Sequence, residues 1–321
     1  MGGTEGIVRD PLRAVIDVVV VSFNTRDLTL RCVNALCSEP VVASVCVVDN
    51  ASTDGSREAL IQRSYQQNIS GEGARLKIEC LSENRGFGAA NNLGVAPVGA
   101  EFVALVNSDA FVLSGALERM CAHLRASKEV GLVGPRLLNS DGSFQESRFH
   151  FPSPARAWAE NLGFTGLVAR LLNCLRFAKG RDRAGDVDWL SGACLLVRRK
   201  VWEQTGGFDE DFFLYSEETD WQVRIQQLGW RIHWVPEAVA VHLGGSSGLS
   251  QREVVRERFY ESVDLYFLKH FGRMGALSLR CATAVGAALR WCGALVCASS
   301  VRQKNSAWVF LRQSRKALPP H

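Results

Sequence analysis

After a mixed stretch at 1–14 comes Val15-Ile16-Asp17-Val18-Val19-Val20-Val21, a short β-branched run that barely alternates. Such a run predicts a strand covered on both faces. Residues 24–37 then place Leu28, Leu30, Val33 and Leu36 along a helical stripe. The alternation continues, with strands predicted at 44–48, 76–81 and 102–106 and helices at 55–65, 86–95 and 115–126. Strand–helix alternation at this spacing predicts an α/β domain with a mostly parallel sheet of right-handed βαβ units. A turn-rich stretch from Pro135 to Asp186 interrupts it. A strand is predicted through 187–197, a helix over 214–228, short strands at 231–235 and 239–242, and a charged helix over 251–270.

Composition narrows the classes. Of 321 residues, 47% are hydrophobic and 22% charged, which excludes disordered and collagen-like chains. The net charge of +4, from 37 basic and 33 acidic residues, is too balanced to point to nucleic acid. None of the 10 cysteines forms a close pair or has zinc spacing, and several lie in apolar runs such as Val45-Cys46-Val47. They read as small core hydrophobes. Residues 1–14 carry Glu5, Arg9, Asp10 and Arg13 and lack the apolar stretch of a signal peptide, so a reducing, cytosolic setting is expected.

In an open parallel sheet, ligands bind beyond the carboxyl ends of the strands. Those ends are dense in polar residues here: Ser22-Phe23-Asn24, then Asp49 to Ser56, then Glu83 to Asn92, then Asn107-Ser108-Asp109. Each has a purely structural alternative. Asp49-Asn50 with Asp54-Gly55 is also a turn with a helix cap, and Asn107-Ser108-Asp109 is also a cap for the next helix. Gly86-Phe87-Gly88 is also a tight strand-to-helix junction. Four such ends in consecutive register favour a site for a polar, charged ligand.

These blocks, followed by Trp189-Leu190-Ser191-Gly192-Ala193, Phe213 to Asp220 and Val241 to Ser247, resemble family 2 nucleotide-sugar glycosyltransferases of GT-A fold, especially their rhamnosyltransferase-like branch. The resemblance implies a GT-A catalytic domain at 15–250, with a nucleotide-sugar half at 15–134 and an acceptor half at 187–250. Residues 1–14 are then an extension, and 251–321 a helical region. It implies a nucleotide-sugar site drawn from Ser22, Asn24, Asp49, Asn50, Ser52, Asp54, Asn84, Gly86, Phe87, Asn91, Asn107, Ser108 and Asp109. Asp49 would accept from the pyrimidine imide. Asn107-x-Asp109 stands where the family commonly has Asp-x-Asp, so Asp109, with His242, would hold Mg²⁺ or Mn²⁺ against the diphosphate. The base that takes the acceptor proton would be Glu218, where the family usually has Asp, with Glu217 and Asp220 as possible substitutes. Trp189, Ser191 and Gly192 would line the acceptor side, although Trp189 also reads as core.

The implied reaction is inverting transfer of a sugar, rhamnose from dTDP being favoured, to a hydroxyl of a saccharide or polyprenyl-linked saccharide in bacterial surface polysaccharide synthesis. The alternative is a non-catalytic saccharide-binding or scaffold protein, which the lost carboxylate at Asn107 supports. Residues 274–301 are apolar but interrupted by Arg280 and Arg290, too short in their uninterrupted runs for a span of ~20 residues. On a helix Arg273, Arg280, Arg290 and Arg302 share one arc, opposite Val285, Leu289, Cys292 and Val296, and Arg312, Arg315 and Lys316 add positive charge behind them. This predicts an amphipathic helix at the inner face of the cell membrane, or one packed on the catalytic domain.

Overall fold

The computed structural model describes residues 14–71, 73–96, 99–163, 183–244 and 252–296. The chain divides into two units, one from the segments up to Phe149 and from Arg183 to Arg256, the other from His150 to Asp182 and from Glu257 onward.

The first unit opens as predicted: β1 (Ile16–Ser22), α1 (Arg26–Cys37), β2 (Val42–Asp49), α2 (Ser56–Ser70), β3 (Arg75–Cys80), α3 (Phe87–Gly94) and β4 (Phe102–Asn107). β3, β2, β1 and β4 lie side by side and parallel. Ile16, Val18, Val19, Val20, Val45, Val47 and Leu105 are buried, which is why these strands carry unbroken apolar runs. Ser22 pairs with Asp49, Asp49 with Cys80, and Val21 with Asn107, so the polar strand ends stand in one row.

Beyond β4 the order is less simple. β5 (Ala110–Val112), α4 (Ala116–Ala126), β6 (Val130–Leu138), β7 (Phe144–Gln145) and β8 (Arg148–Phe149) come next. After the second unit's first segment follow β9 (Gly185–Asp186), β10 (Trp189–Leu190), β11 (Cys194–Arg198), a helix at Arg199–Thr205, a helix at Glu217–Gln227 and β12 (Arg231–His242). Among the described residues the sheet runs β3-β2-β1-β4-β11-β6-β12-β5, with β7 on β6 and β9 on β12. β6 and β12 are parallel, whereas β11 enters antiparallel between β4 and β6. The sheet is therefore mixed on this side.

Three sequence expectations change here. A strand, β6, runs through Pro135, where the turn-rich stretch is expected to begin; the register slips at Val235/Val239 opposite, the kind of irregularity that tolerates a strand proline. The apolar stretch 187–197 is not one strand: Ser191-Gly192-Ala193 separates β10, which pairs with β8, from β11 in the main sheet. The two short strands near the end are one irregular strand, β12.

The second unit holds α5 (Pro154–Asn161) and, after the helix at Arg199–Thr205 (α6) and that at Glu217–Gln227 (α7), most of α8 (Arg252–Val296). Ser153 caps α5 through the N–H of Arg156, ahead of a proline in the first turn. Gly272 breaks α8 with a left-handed φ of 67°. Trp158 Nε1 donates to Ser278 Oγ at 3.0 Å, and a Cβ on Gly286 would sit 2.7 Å from Asn161 O, so the unit is closed by a close helix–helix approach. Arg280 forms a two-point pair with Asp264 at 2.7 and 2.9 Å. No helix among the described residues is long and apolar enough to cross a membrane. Arg302, Arg312, Arg315, Lys316 and the extension at 1–13 lie outside the described residues. Of the described cysteines, Cys32, Cys37, Cys46, Cys121 and Cys194 are buried as expected, Cys80 is half-buried, and Cys281 and Cys292 are exposed.

Candidate active site

Many of the polar residues along the strand ends bond to one another. Asn24, at φ 53°, accepts the Thr53 N–H at 2.7 Å, and its own N–H donates to Ser52 Oγ at 2.9 Å. Asp54 accepts the N–H of Arg26 at 2.9 Å and the N–H and hydroxyl of Ser56, so it caps α1 and α2 together. Its partial burial would raise its pKa, but these hydrogen bonds outweigh it and hold the carboxyl below the usual range. Asn50 Nδ2 donates to Asn84 Oδ1 at 2.9 Å and to Gly86 O, while Asn50 Oδ1 accepts from the Arg85 N–H. Ser22, Thr29, Thr25 and Ser108 form a buried chain of hydroxyls with steps of 2.9, 3.1 and 2.9 Å. Asn91 bonds back to Phe87 O within α3. These groups build the loops.

Asp49 differs. It is 1% exposed; Oδ2 accepts the Ser52 N–H at 3.2 Å, but Oδ1 has no partner among the described residues. A buried carboxylate oxygen without a donor is costly unless a ligand supplies one.

Two strands along the sheet, just beyond the end of β4, sits Asp109. β12 pairs antiparallel with β5, placing His242 opposite Ala110, and Leu243 N donates to Asp109 O. His242 Nε2 then lies 3.4 Å from Asp109 Oδ1 and 3.5 Å from Asn107 Nδ2. Asn107 Oδ1 is buried without a partner among the described residues. No group of three or more His, Cys, Asp or Glu suited to a metal exists among the described residues. The cluster is one carboxylate, one imidazole and one amide. Its unpartnered oxygen and facing Asp109–His242 pair fit a divalent cation that takes further oxygens from a diphosphate.

The third cluster starts α7. Tyr215 and Ser216 both adopt left-handed backbone, at φ 69° and 66°. Two such non-glycine residues in succession cost on the order of 1–3 kcal/mol each and occur where a site requires them. They deliver Glu217 into the interior with Glu218 half-buried beside it, each with a buried Oε2 lacking a partner among the described residues. Burial raises both carboxyls above the usual range, Glu217 well above it, with the charge of Glu218 adding to the shift at Glu217. Asp220 is differently placed: it accepts from Arg224 Nε at 2.9 Å, one turn along α7.

Backbone contacts tie the three clusters together. Phe87 N donates to Phe213 O at 2.9 Å, and a Cβ on Gly86 would approach that oxygen to 2.3 Å, so only glycine lets the nucleotide-side loop meet the segment before Glu217. Asn107 N donates to Ala193 O, joining the Asp109 loop to the 191–193 turn. The Gly192 N–H bonds the Glu218 carboxyl. Gln222, wholly buried, was not foreseen: its amide bridges the N–H and C=O of Leu190 at 2.8 Å each and donates to Glu218 O at 3.0 Å. The polar Gln222 one turn after Glu218, between Trp221 and Ile225, was the available sequence signal. Ser191 N donates to Ser147 O, and Trp189 stacks on Phe149 with ring centroids 4.6 Å apart. Gly245, Ser246 and Ser247 lie outside the described residues.

The pattern described as Glycosyl transferase family 2 matches residues 17–206, and the chain belongs to that family. It is 29% identical over 251 residues to the N-acetylglucosaminyl-diphospho-decaprenol L-rhamnosyltransferase of Mycobacterium tuberculosis, covering 71% of this chain and 76% of the relative. It is 22% identical to the dTDP-rhamnosyl transferase RfbF of Shigella flexneri, over 73% of this chain and 71% of the relative. Among solved structures, the mannosyltransferase PcManGT of Pyrobaculum calidifontis, in complex with GDP-Man and Mn²⁺, superposes with a TM-score of 0.56 at 19% identity, over 96% of this chain and 88% of that one. TarS of S. aureus with UDP-GlcNAc gives 0.55 at 16%, over 94% and 81%. The fold is the GT-A type, and the sequence is rhamnosyltransferase-like.

Proposed function

We propose that this glycosyltransferase moves a sugar, rhamnose from dTDP-rhamnose by preference, onto a hydroxyl of a polyprenyl-linked saccharide, inverting the anomeric centre. The observation that carries the reading is the adjacent pair of buried Glu217 and half-buried Glu218, each with a buried oxygen that no described protein group satisfies, tied to the nucleotide-side loop and to the 191–193 turn. Asp49 Oδ1 accepts the imide N–H of the base. Asp109 and His242, with Asn107, hold a divalent cation, which when bound neutralises charge on the departing diphosphate. Glu218 accepts the acceptor's O–H proton as that oxygen bonds to the anomeric carbon, while the bond from that carbon to the diphosphate oxygen breaks. Attack from the face opposite the leaving group inverts configuration. Trp189, with Phe149, offers a ring face to the acceptor sugar.

Support for the donor and acceptor comes from the two relatives, one a dTDP-rhamnosyl transferase and one an N-acetylglucosaminyl-diphospho-decaprenol L-rhamnosyltransferase. A lipid-linked acceptor requires work at a membrane, here the inner face of the cell membrane. In α8, Met274, Leu277, Val285 and Leu289 are exposed, and they fall within an arc of about 120° on a helix. Arg280 is paired with Asp264 and Arg290 donates to Asn161 from the far side of the helix, while Arg273 is exposed near the edge of that stripe.

A panel of nucleotide sugars with Mn²⁺ and Mg²⁺, scored for slow donor hydrolysis, tests the donor and metal without an acceptor. Turnover of dTDP-rhamnose above other donors supports the reading. Hydrolysis of none, with either metal, overturns it.

A further inference from the structure

The hairpin after β6 fixes which nitrogen of His242 carries its proton. Asp141 Oδ1 can only accept, and it takes the Ser143 hydroxyl and N–H. With its proton committed, Ser143 Oγ accepts from Asn139 Nδ2 at 2.9 Å. Asn139 Oδ1 is thereby left to accept from Gln145 Nε2, also at 2.9 Å, and the same nitrogen donates to His242 O at 3.2 Å. Gln145 must therefore present its carbonyl, Oε1, to His242 Nδ1, 2.8 Å away. Each step permits only one orientation of the next. The end of the relay is an acceptor, so Nδ1 must be the donor.

We infer that Asn139, Asp141, Ser143 and Gln145 are positioning residues that hold the neutral His242 as its Nδ1–H form, directing the Nε2 lone pair at Asp109 and the cation. The inference rests on the metal reading given above. An Nε2–H ring would point a proton where a cation must bind, and an unheld ring could rotate away. Partners of this kind typically affect metal affinity 10–100-fold. Gln145 is half-buried on a two-residue strand, so a substitution there is confined to its bonds with Asn139 and His242.

The test is a Mn²⁺ titration with dTDP or UDP present, read by the electron paramagnetic resonance of free Mn²⁺. Gln145→Leu should weaken binding about 10–100-fold, whereas Gln145→Glu, which keeps an acceptor, should stay near wild type. Asp109→Asn and His242→Ala separate the two ideas. If they abolish binding and Gln145→Leu does not change it, the relay is refuted and the metal site stands. If they change nothing, the metal site falls and the relay with it. Long-range ¹H–¹⁵N spectra of histidine-labelled protein, at a pH where the ring is neutral, give an independent readout that needs no metal. An Nδ1–H signal absent from His242→Ala supports the inference; an Nε2–H signal overturns it.

Discussion

Asp54 and Glu217 are both acidic residues at the start of a helix in a nucleotide-sugar family motif, and their surroundings are opposite. Around Asp54 every oxygen has a donor: the carboxylate joins two helices and sits below the usual pKa range. Glu217 and Glu218 each bury one carboxylate oxygen that has no donor among the described residues, the backbone before them is left-handed, and the carboxyls are pushed up. One region has its hydrogen bonds closed and the other has them open. A polar motif residue is thus a builder when its bonds are complete and faces ligand when they are not. By that criterion Asn24, Asn50, Asp54 and Asn91 build, while Asp49, Asn107, Glu217 and Glu218 wait for partners.

The largest effect should fall on the open side. Glu218→Gln should lower kcat by about 10²–10⁴-fold with donor affinity nearly unchanged, since a general base acts in the transition state. In the wild type, kcat should rise with pH along an acid limb lying above the ordinary Glu value of about 4.3, because burial raises Glu218. Full activity in Glu218→Gln would move the base to Glu217, which the same assay on Glu217→Gln reveals.

Asp49→Asn is next. Its amide oxygen must keep the Ser52 N–H, so its nitrogen turns toward the ligand and meets a donor. Losing a charged hydrogen bond of about 1.5–3 kcal/mol, donor or free nucleotide should bind about 10–100-fold more weakly by calorimetry.

Asp54→Ala should do the reverse, lowering stability by about 1–2 kcal/mol in denaturant unfolding while kcat changes little. A large loss of donor affinity with stability intact would break the builder assignment.

The smallest effect is one of pH. Glu217 is raised in the folded protein, so it retains a proton that the unfolded chain gives up. The stability this contributes is complete below the unfolded value of about 4.3 and disappears as pH rises through the folded one. Glu217→Gln cannot ionise, so its melting temperature relative to wild type should improve from about pH 4 to about pH 8. No change in that difference across the range would show that Glu217 is not held in its neutral form.

Much of this was legible in the chain because β1 to α4 are local units whose hydrophobic period announces them. The motif blocks stood out for the same reason, as polar clusters at the ends of apolar runs. The acceptor side was less legible. β11 reads like its parallel neighbours, since a strand buried on both faces carries no mark of direction. Pro135 hid the length of β6. Gln145 gave no signal at all, because its partner His242 lies 97 residues away and meets it only after β12 has closed the sheet. Motifs named the side chains, but only tertiary contacts sorted builders from ligand-facing groups.

The antiparallel entry of β11 beside β4, with Asn107 N bonded to Ala193 O, has a consequence for how such enzymes diversify. The 107–109 loop and the 191–193 turn are anchored at backbone level by neighbouring strands, so their separation depends little on side-chain identity. On the proposed roles, the side chains of 187–191 and 146–149, which lie outside the relay that holds His242, can be exchanged to admit new acceptors without resetting the reach between donor and nucleophile. Acceptor choice becomes a cassette, and the geometry of transfer is inherited unchanged.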